Sequence, residues 1–106
     1  MTVVRIWRGA TRREDADRYV DVLRATGIAD YLATPGNLGV EVLRRDDGDR
    51  TVFTILSTWT SLDAIRAFAG EDAEAARFYP DDDAYLIERE PRVEHHELVE
   101  RRSGGR

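Results

Sequence analysis

The sequence contains no cysteine, and this absence excludes several kinds of site. No disulfide framework, thiolate nucleophile or cysteine-ligated metal can be built from these 106 residues. Lysine is absent as well, so all 16 basic residues are arginine. Histidine occurs only at positions 95 and 96, and these two side chains are therefore the only ones that naturally titrate near neutral pH.

Long apolar runs are also missing. The N-terminus, MTVVRIWRGATRRED, carries a charge by Arg5, so neither a signal peptide nor a membrane span is predicted, and we expect a cytoplasmic protein with no membrane partner. The 21 acidic residues outnumber the arginines and give a net charge of -5. Because this field repels phosphate, nucleic acid is not an expected partner.

The length and composition indicate one folded domain. A chain of 106 residues that is 42% hydrophobic and 35% charged supports one core and is too short for two domains. We place the domain at residues 1–100 and predict a disordered tail at residues 101–106, which has nothing to bury.

Apolar periodicity in the first half predicts a strand followed by a helix. Residues 3–8 alternate like a strand, with Val4 and Ile6 on one face and Val3, Arg5 and Trp7 on the other. Thr11 and Glu14 form a T-x-x-E capping box that predicts a helix start. The buried stripe of this helix is spaced i, i+3, i+4 and i+7, and consists of Ala16, Tyr19, Val20 and Leu23.

The second half predicts a hairpin, a helix and a last strand. Residues 38–42 and 50–59 flank the turn signal Asp46-Asp47-Gly48-Asp49. Thr60 or Ser61 caps the second helix. Two short helical pieces, at residues 72–79 and 81–90, precede a final strand at residues 93–99. The order predicts an α+β, ferredoxin-like βαββαβ fold with a four-stranded antiparallel sheet.

The third strand is apolar on both faces, which has a consequence for assembly. Phe53, Ile55 and Trp59 lie on one face, and Val52 and Leu56 lie on the other. Two helices cover only one face of the sheet. We therefore predict that the sheet of a second copy covers the other face, which gives a homodimer.

Four segments resemble the antibiotic biosynthesis monooxygenase-type domains of the dimeric α/β-barrel superfamily. They are VVRIWRG, TPGNLGVEVLRR, ILSTWTSLDAIRAFAG and EPRVEHHELVE, and the resemblance covers residues 1 to about 100 in order. It implies a homodimeric α/β barrel. It also implies a cofactor-independent monooxygenase whose partners are dioxygen and a small planar phenol, hydroquinone or polyketide-like aromatic, held in an apolar pocket between sheet and helices.

The resemblance also implies site residues. Trp59 would line the pocket and orient a bound oxygen through its indole N–H, although a tryptophan at a strand end also commonly fills the core. Arg77 would stabilise a phenolate or superoxide, or else form a surface ion pair. The pocket candidates are Trp7, Phe53, Ile55, Phe78 and Tyr79, of which Trp7 is better explained by core or dimer packing.

His95 and His96 are candidates for a general base. They are adjacent in a strand and point to opposite faces, so at most one faces the pocket, and the pair cannot bind one metal ion together. No metal site and no cofactor are predicted.

Two other functions stay open. The same pocket could bind a small aromatic ligand without turnover, in a non-catalytic dimeric protein. Haem degradation, known among similar domains, is less favoured, because residues 71–83 contain no histidine to serve as the axial ligand.

Overall fold

A five-stranded antiparallel sheet forms the body of the computed structural model, which describes residues 1–105. The strands are β1 (Val3–Arg12), β2 (Asn37–Asp47), β3 (Arg50–Trp59), β4 (Leu86–Arg89) and β5 (Glu94–Glu97). Their order is β2-β3-β1-β4, with β5 also paired to β1. The fold prediction is confirmed, with one refinement. The fourth strand position of the sheet is occupied by two short strands, β4 and β5, which pair with different parts of the same edge of β1.

Within residues 1–105, four helices accompany the sheet: α1 (Ala16–Ala25), α2 (Gly27–Ala33), α3 (Leu62–Ala69) and α4 (Asp82–Tyr85), with a 3-10 turn at Arg13–Asp15. Tyr19 and Leu23 of α1 and Phe68 of α3 are buried against the sheet. The predicted cap of α3 is confirmed, because the Ser61 hydroxyl accepts a 3.1 Å hydrogen bond from the Ala64 N–H.

The two faces of the sheet have different environments. Val3, Trp7, Phe53, Ile55 and Trp59 are buried on the face that carries the helices. Residues between them in the strands are less covered: Val4, Ile6, Val52 and Leu56 are half-buried, and Leu43 is 51% exposed. The alternation predicted for β1 and β3 is confirmed, and an apolar strip remains uncovered on the opposite face.

The helical pieces predicted at residues 72–79 and 81–90 are wrong for most of their length. Residues 72–79 contain no helix, and Ala75 instead forms a bridge with Arg92. Only Asp82–Tyr85 is helical in the second piece, and Leu86–Arg89 pairs with β1 as β4. The open edge of β1 needs hydrogen-bonding partners, and this requirement overrides a weak local helix signal.

The capping box predicted at Thr11 and Glu14 does not form. β1 continues to Arg12, where Thr11 pairs with both Thr51 and Leu86, and its hydroxyl donates a 2.8 Å hydrogen bond to the Arg12 carbonyl. The first α-helix begins only at Ala16.

The ends of the chain add little regular structure. Residues 101–105 are exposed and contain neither helix nor strand, and Arg106, the last residue of the predicted tail, lies outside the described residues. Among residues 1–105, no helix has the length and apolar character needed to cross a membrane.

Candidate active site

A small cavity lies between the helix-bearing face of the sheet and the helices. Its apolar wall includes Trp7, Ile55 and Phe68, from β1, β3 and α3. Its polar groups come from β1, α1, α2, α4 and the segment between α3 and α4 (residues 70–81), and are Arg5, Tyr19, Tyr31, Arg77, Tyr79 and Asp82. The predicted location between sheet and helices agrees with this cavity.

The cavity is too small for the predicted ligand. It encloses about 30 Å³, which holds a water molecule, whereas an apolar protein cavity known to bind benzene measures about 150 Å³. A planar substrate therefore enters only when a lining side chain moves. Arg77 and Tyr79 are partly exposed and lie on a segment without helix or strand, so their side chains are the candidates for this movement.

Asp30 holds both of these side chains in place. The Tyr79 hydroxyl donates a 2.6 Å hydrogen bond to the Asp30 carboxylate, and the Arg77 guanidinium lies 3.2 Å from the same oxygen. Arg77 also donates to the Phe68 carbonyl at 3.1 Å and packs 5.0 Å from the Phe68 ring centre. Burial, followed by the bond to Asp30, raises the pKa of Tyr79. The predicted surface ion pair of Arg77 thus exists together with its position on the cavity wall.

Arg5 is buried to 2% exposure and projects from β1 into the cavity. Its two terminal nitrogens donate to the carbonyls of Ala73 and Ala75, the second at 2.8 Å, while its Nε has no hydrogen-bond partner. Burial lowers its pKa, and Tyr31 partly offsets the effect. A guanidinium nevertheless stays charged in proteins, so this is a buried cation.

The two histidines lie on opposite faces of β5, as predicted. His95 pairs with Arg5 across the strands, and its Nε2 lies 3.4 Å from an Arg5 terminal nitrogen. The pKa of His95 is lowered from 6.5, first by burial and then by the Arg5 cation. His96 is exposed and lies 3.5 Å from the Glu94 carboxylate. Neither imidazole is among the described residues that line the cavity.

Trp59 is fully buried behind the cavity wall. Its indole N–H donates a 2.9 Å hydrogen bond to the Ser57 hydroxyl, and its ring packs against Tyr31 and Phe68 at 6.1 and 5.8 Å. It is not among the described residues that line the cavity. Its predicted role in orienting oxygen stays a prediction, while its observed contacts are those of the core.

The four remaining pocket candidates lie in different places. Phe53 is fully buried and packs edge-on against Tyr19 at 5.3 Å, away from the cavity lining. Phe78 is 37% exposed and lies edge-on to Trp7 at 6.3 Å, on the outside of the wall. Trp7 lines the cavity, as does Ile55.

The Trp7 ring lies directly over Gly9. A Cβ atom at Gly9 would approach the Trp7 ring carbon Cζ2 to 2.8 Å, closer than real Cβ contacts allow. The Trp7 indole N–H donates a 3.0 Å hydrogen bond to the Glu90 carbonyl. These two contacts fix the position of the ring on the cavity wall.

Sequence reasoning missed several polar groups of the site. Arg5 could have been recognised from the sequence, because it lies on the same face of β1 as Val3 and Trp7. A charged residue at that position in the alternation points toward the core. The position of Tyr31 depends on contacts between distant segments and has no local signal in the sequence. The same is true of the 3.0 Å hydrogen bond from the Tyr19 hydroxyl to the Asp82 carboxylate.

Within residues 1–105, no three histidine, aspartate or glutamate side chains come together as a metal-binding group.

The sequence model of the antibiotic biosynthesis monooxygenase family matches residues 2–78. None of the curated proteins matches the chain.

Several solved structures have a similar fold. The cofactor-independent oxygenase SnoaB from Streptomyces nogalater is 22% identical, with a TM-score of 0.61, and the match covers 96% of this chain and 95% of that one. The haem degrader MhuD from Mycobacterium tuberculosis, described with two haems in its active site, is 22% identical, with a TM-score of 0.60 and coverages of 95% and 99%. Rv0793 from the same organism is 20% identical, with a TM-score of 0.61 and coverages of 97% and 100%. At these identities the likeness shows the fold alone.

Proposed function

The chain belongs to the antibiotic biosynthesis monooxygenase family, and on this premise we propose that its cavity binds a small planar phenol or hydroquinone and oxidises it with dioxygen, without a cofactor. One observation carries the proposal: the cavity combines aromatic walls with the guanidinium groups of Arg5 and Arg77. Aromatic walls suit a planar ring, and fixed cations stabilise the negative charge that forms when a phenol ionises or when oxygen is reduced. The fold shared with SnoaB, a cofactor-independent oxygenase, supports the same function.

The proposed reaction draws its electrons from the substrate. A phenol with a free ortho or para carbon loses its hydroxyl proton to a base, and the phenolate transfers one electron to dioxygen. The resulting radical and superoxide combine at that carbon, the base returns its proton to the peroxide, and loss of water gives the quinone. One oxygen atom of dioxygen ends in the quinone and the other in water, so phenol plus dioxygen balances quinone plus water.

The proposed roles follow from position. Arg77 stabilises the phenolate and the superoxide from the outer side of the cavity wall, where its side chain is partly exposed and lies against the rings of Phe68 and Tyr79. His95 is the candidate base, because it pairs with the cavity-lining Arg5 on the same face of the sheet and its lowered pKa leaves the imidazole neutral. His96 points away from the cavity, and Trp59 supports the wall from behind.

A haem does not fit the residues present. Haem iron in proteins takes an axial histidine, cysteine, methionine or tyrosine, and no described residue lining the cavity is one of the first three. The tyrosines that line it are poor candidates for a tyrosinate ligand, because burial raises the pKa of each: Tyr19, Tyr31 and Tyr79. We therefore derive no step through haem for this chain.

A non-catalytic binding protein is the second candidate function. The same absence of an imidazole from the described cavity lining favours it, because a general base must lie within hydrogen-bond reach of the proton it removes. The two candidates differ only in turnover.

The uncovered sheet face supports the proposal of a homodimer. Val4, Ile6, Val52 and Leu56 are half-buried there in the single chain, and Leu43 is 51% exposed. A contiguous apolar strip of this kind is typical of an interface. A second copy related by a two-fold axis covers it with the same residues.

Oxygen uptake with a panel of anthrones and hydroquinones tests the function. We expect saturable uptake that falls about tenfold or more in Arg77→Met, because a charge-assisted hydrogen bond in the transition state is lost. Arg66→Met is the matched control, since Arg66 lies on α3 and pairs with the nearby Asp63. Saturable binding without uptake would support the binding protein instead, and neither binding nor uptake would overturn both candidates.

A further inference from the structure

Arg5 is a buried cation without a carboxylate partner. Among residues 1–105, the arginines that form no ion pair are Arg5, Arg45 and Arg101, and only Arg5 is buried. Removing a charge from water costs several kcal/mol unless an opposite charge and hydrogen bonds compensate. The Ala73 and Ala75 carbonyls compensate two nitrogens of this group, and the Nε is left without a partner.

The neighbouring titratable groups do not supply the missing negative charge. Tyr31 lies next to Arg5, but burial raises its pKa, so the phenol is neutral near neutral pH. The pKa of His95 is lowered, which leaves this ring neutral as well. Asp82 lines the same cavity, but its carboxylate accepts hydrogen bonds from the Tyr19 hydroxyl and the Tyr79 N–H and forms no ion pair with Arg5.

We propose that Arg5 binds an ionised oxygen on the ligand, so that the cavity selects aromatic oxyanions over neutral rings of the same shape. The inference rests on the proposed function to the extent that it uses the same cavity. It adds to the proposed function the charge of the bound ligand and the residue, Arg5, that recognises this charge. An incoming phenolate or aromatic carboxylate supplies the counter-charge that the buried guanidinium lacks, and the hydrogen-bond acceptor that its Nε lacks.

The position of Arg5 suits this role. It lies on the central strand β1, between Ser57 of β3 and His95 of β5, so the sheet holds its backbone on both sides. Its guanidinium also lies 5.8 Å from the Phe68 ring centre. Arg77, by contrast, already has Asp30 as a counter-ion. A ligand ring that takes the place of the Tyr79 side chain therefore meets one compensated and one uncompensated cation.

A purely structural role for Arg5 makes a different prediction. If its only role is to tie the carbonyls of Ala73 and Ala75 to the sheet, its replacement weakens the binding of charged and neutral ligands alike. The ratio of the two affinities then stays constant. This ratio, rather than either affinity alone, is the informative measurement.

The experiment compares matched probes on the purified protein. At a pH above the pKa of the free phenol, 4-nitrophenolate is compared with nitrobenzene, and benzoate with benzamide. We expect each favoured anion to bind about tenfold or more tightly than its neutral partner, as a charge-assisted hydrogen bond implies. In Arg5→Met this ratio should fall toward one, whereas Arg45→Met, which alters an exposed arginine without an ion pair in the described chain, should retain it.

The two probe pairs separate the possible sources of the oxyanion. A preference restricted to 4-nitrophenolate identifies phenolates, and a preference restricted to benzoate identifies carboxylates; either supports the inference. An unchanged ratio in folded Arg5→Met overturns it. If none of the four probes binds, both this inference and the proposed ligand site are overturned, whereas anion preference without oxygen uptake overturns only the oxygenase.

A measurement on the unaltered protein guards against a variant that does not fold. At a pH below the pKa of free 4-nitrophenol, binding next to an uncompensated cation should convert the bound molecule to its yellow anion. The visible absorbance then rises on addition of protein. If the bound molecule keeps the spectrum of the neutral phenol, and benzoate binds no more tightly than benzamide, the inference is wrong.

Discussion

The indole N–H of Trp59 donates a 2.9 Å hydrogen bond to the hydroxyl of Ser57, two residues earlier on the same face of β3. Both residues are buried, and the bond satisfies the polar atom of Trp59 within its own strand. An indole with its N–H occupied is poorly placed to orient an oxygen atom in the cavity. The contacts of Trp59 therefore favour a structural role, in which its ring supports Tyr31 and Phe68. These two aromatic residues line the cavity, and Trp59 lies behind them.

Replacing Trp59 with phenylalanine tests this role. We expect Trp59→Phe to lower the free energy of unfolding by about 1–3 kcal/mol, because it leaves a void and deprives the Ser57 hydroxyl of its donor. Ligand affinity should change much less than it does in Arg5→Met. Urea unfolding and probe titration check both expectations. If the Trp59→Phe protein is stable but no longer binds ligand, Trp59 takes part in ligand binding instead.

Tyr79 controls entry to the cavity if its side chain must move for a ring to bind. We expect Tyr79→Ala to tighten the binding of 4-nitrophenolate about fivefold, because the hydrogen bond to Asp30, worth about 1 kcal/mol at this half-exposed position, no longer has to be broken. Fluorescence titration measures the affinity.

Two comparisons isolate the cause. Tyr79→Phe removes the bond to Asp30 and keeps the ring, so it separates the hydrogen bond from the space that the side chain fills. Gly27→Ala adds a methyl group at ordinary contact distance from the Tyr79 and Tyr31 rings, 3.8 and 3.9 Å away, and should weaken binding by filling the cavity. Equal affinities in all three variants would contradict the proposed entry route.

His95 should make stability depend on pH. Its pKa is lowered in the folded chain from 6.5, so below that value the unfolded chain binds a proton more readily than the folded chain. Stability is therefore complete above pH 6.5 and decreases as the pH falls through the unfolded value toward the folded one. Urea unfolding between about pH 7 and 5 should show this slope, which is expected to be shallower in His95→Gln.

His96→Gln is the control for this measurement, since His96 is exposed on the other face of β5. The pH range of the measurement stops at about 5, above the region where carboxylates such as Glu94 titrate. The hydrogen bond from Arg8 lowers the pKa of Glu94, so protonation of this carboxylate in more acidic solution causes a separate loss of stability. A slope that is identical in His95→Gln and the parent chain would show that other groups cause it.

Leu56 tests the homodimer. We expect Leu56→Asp to convert a dimer into a monomer at micromolar concentration, because two copies of an uncompensated carboxylate would be buried near each other. Analytical ultracentrifugation measures the state of both proteins. Leu32→Asp, at an exposed position of α2, should leave the dimer intact. A parent chain that sediments as a monomer would remove the proposal.

Local patterns predicted the strands best. The alternation in β1 and β3 correctly separates Trp7 and Ile55 from Val4 and Leu56, because the two-residue period of a strand is fixed by its geometry. The hairpin turn was also predictable: Gly48 takes a φ of 65°, a conformation that glycine adopts without strain. These features depend on neighbours in sequence.

The segment from α3 to the last strand was predicted poorly, because its structure depends on distant partners. Residues 86–89 have an acidic helix-like start before them, yet they extend because the edge of β1 at Gly9 and Ala10 is open to pairing. The carbonyls of Ala73 and Ala75 are held by Arg5, 68 and 70 residues earlier in the chain. Because these same contacts build the cavity, the candidate site was only partly visible in the sequence.

Gly9 determines where the aromatic wall of the cavity can be. The wall depends on a position with no side chain, so even an alanine at residue 9 would push the indole of Trp7 off the strand and away from the Glu90 carbonyl. Such a change would alter the shape of the binding space without touching any polar group in it. If the cavity binds a ligand as we propose, Gly9 therefore helps to set which ligands fit, and a search for relatives with the same ligand should compare position 9 as carefully as the charged positions.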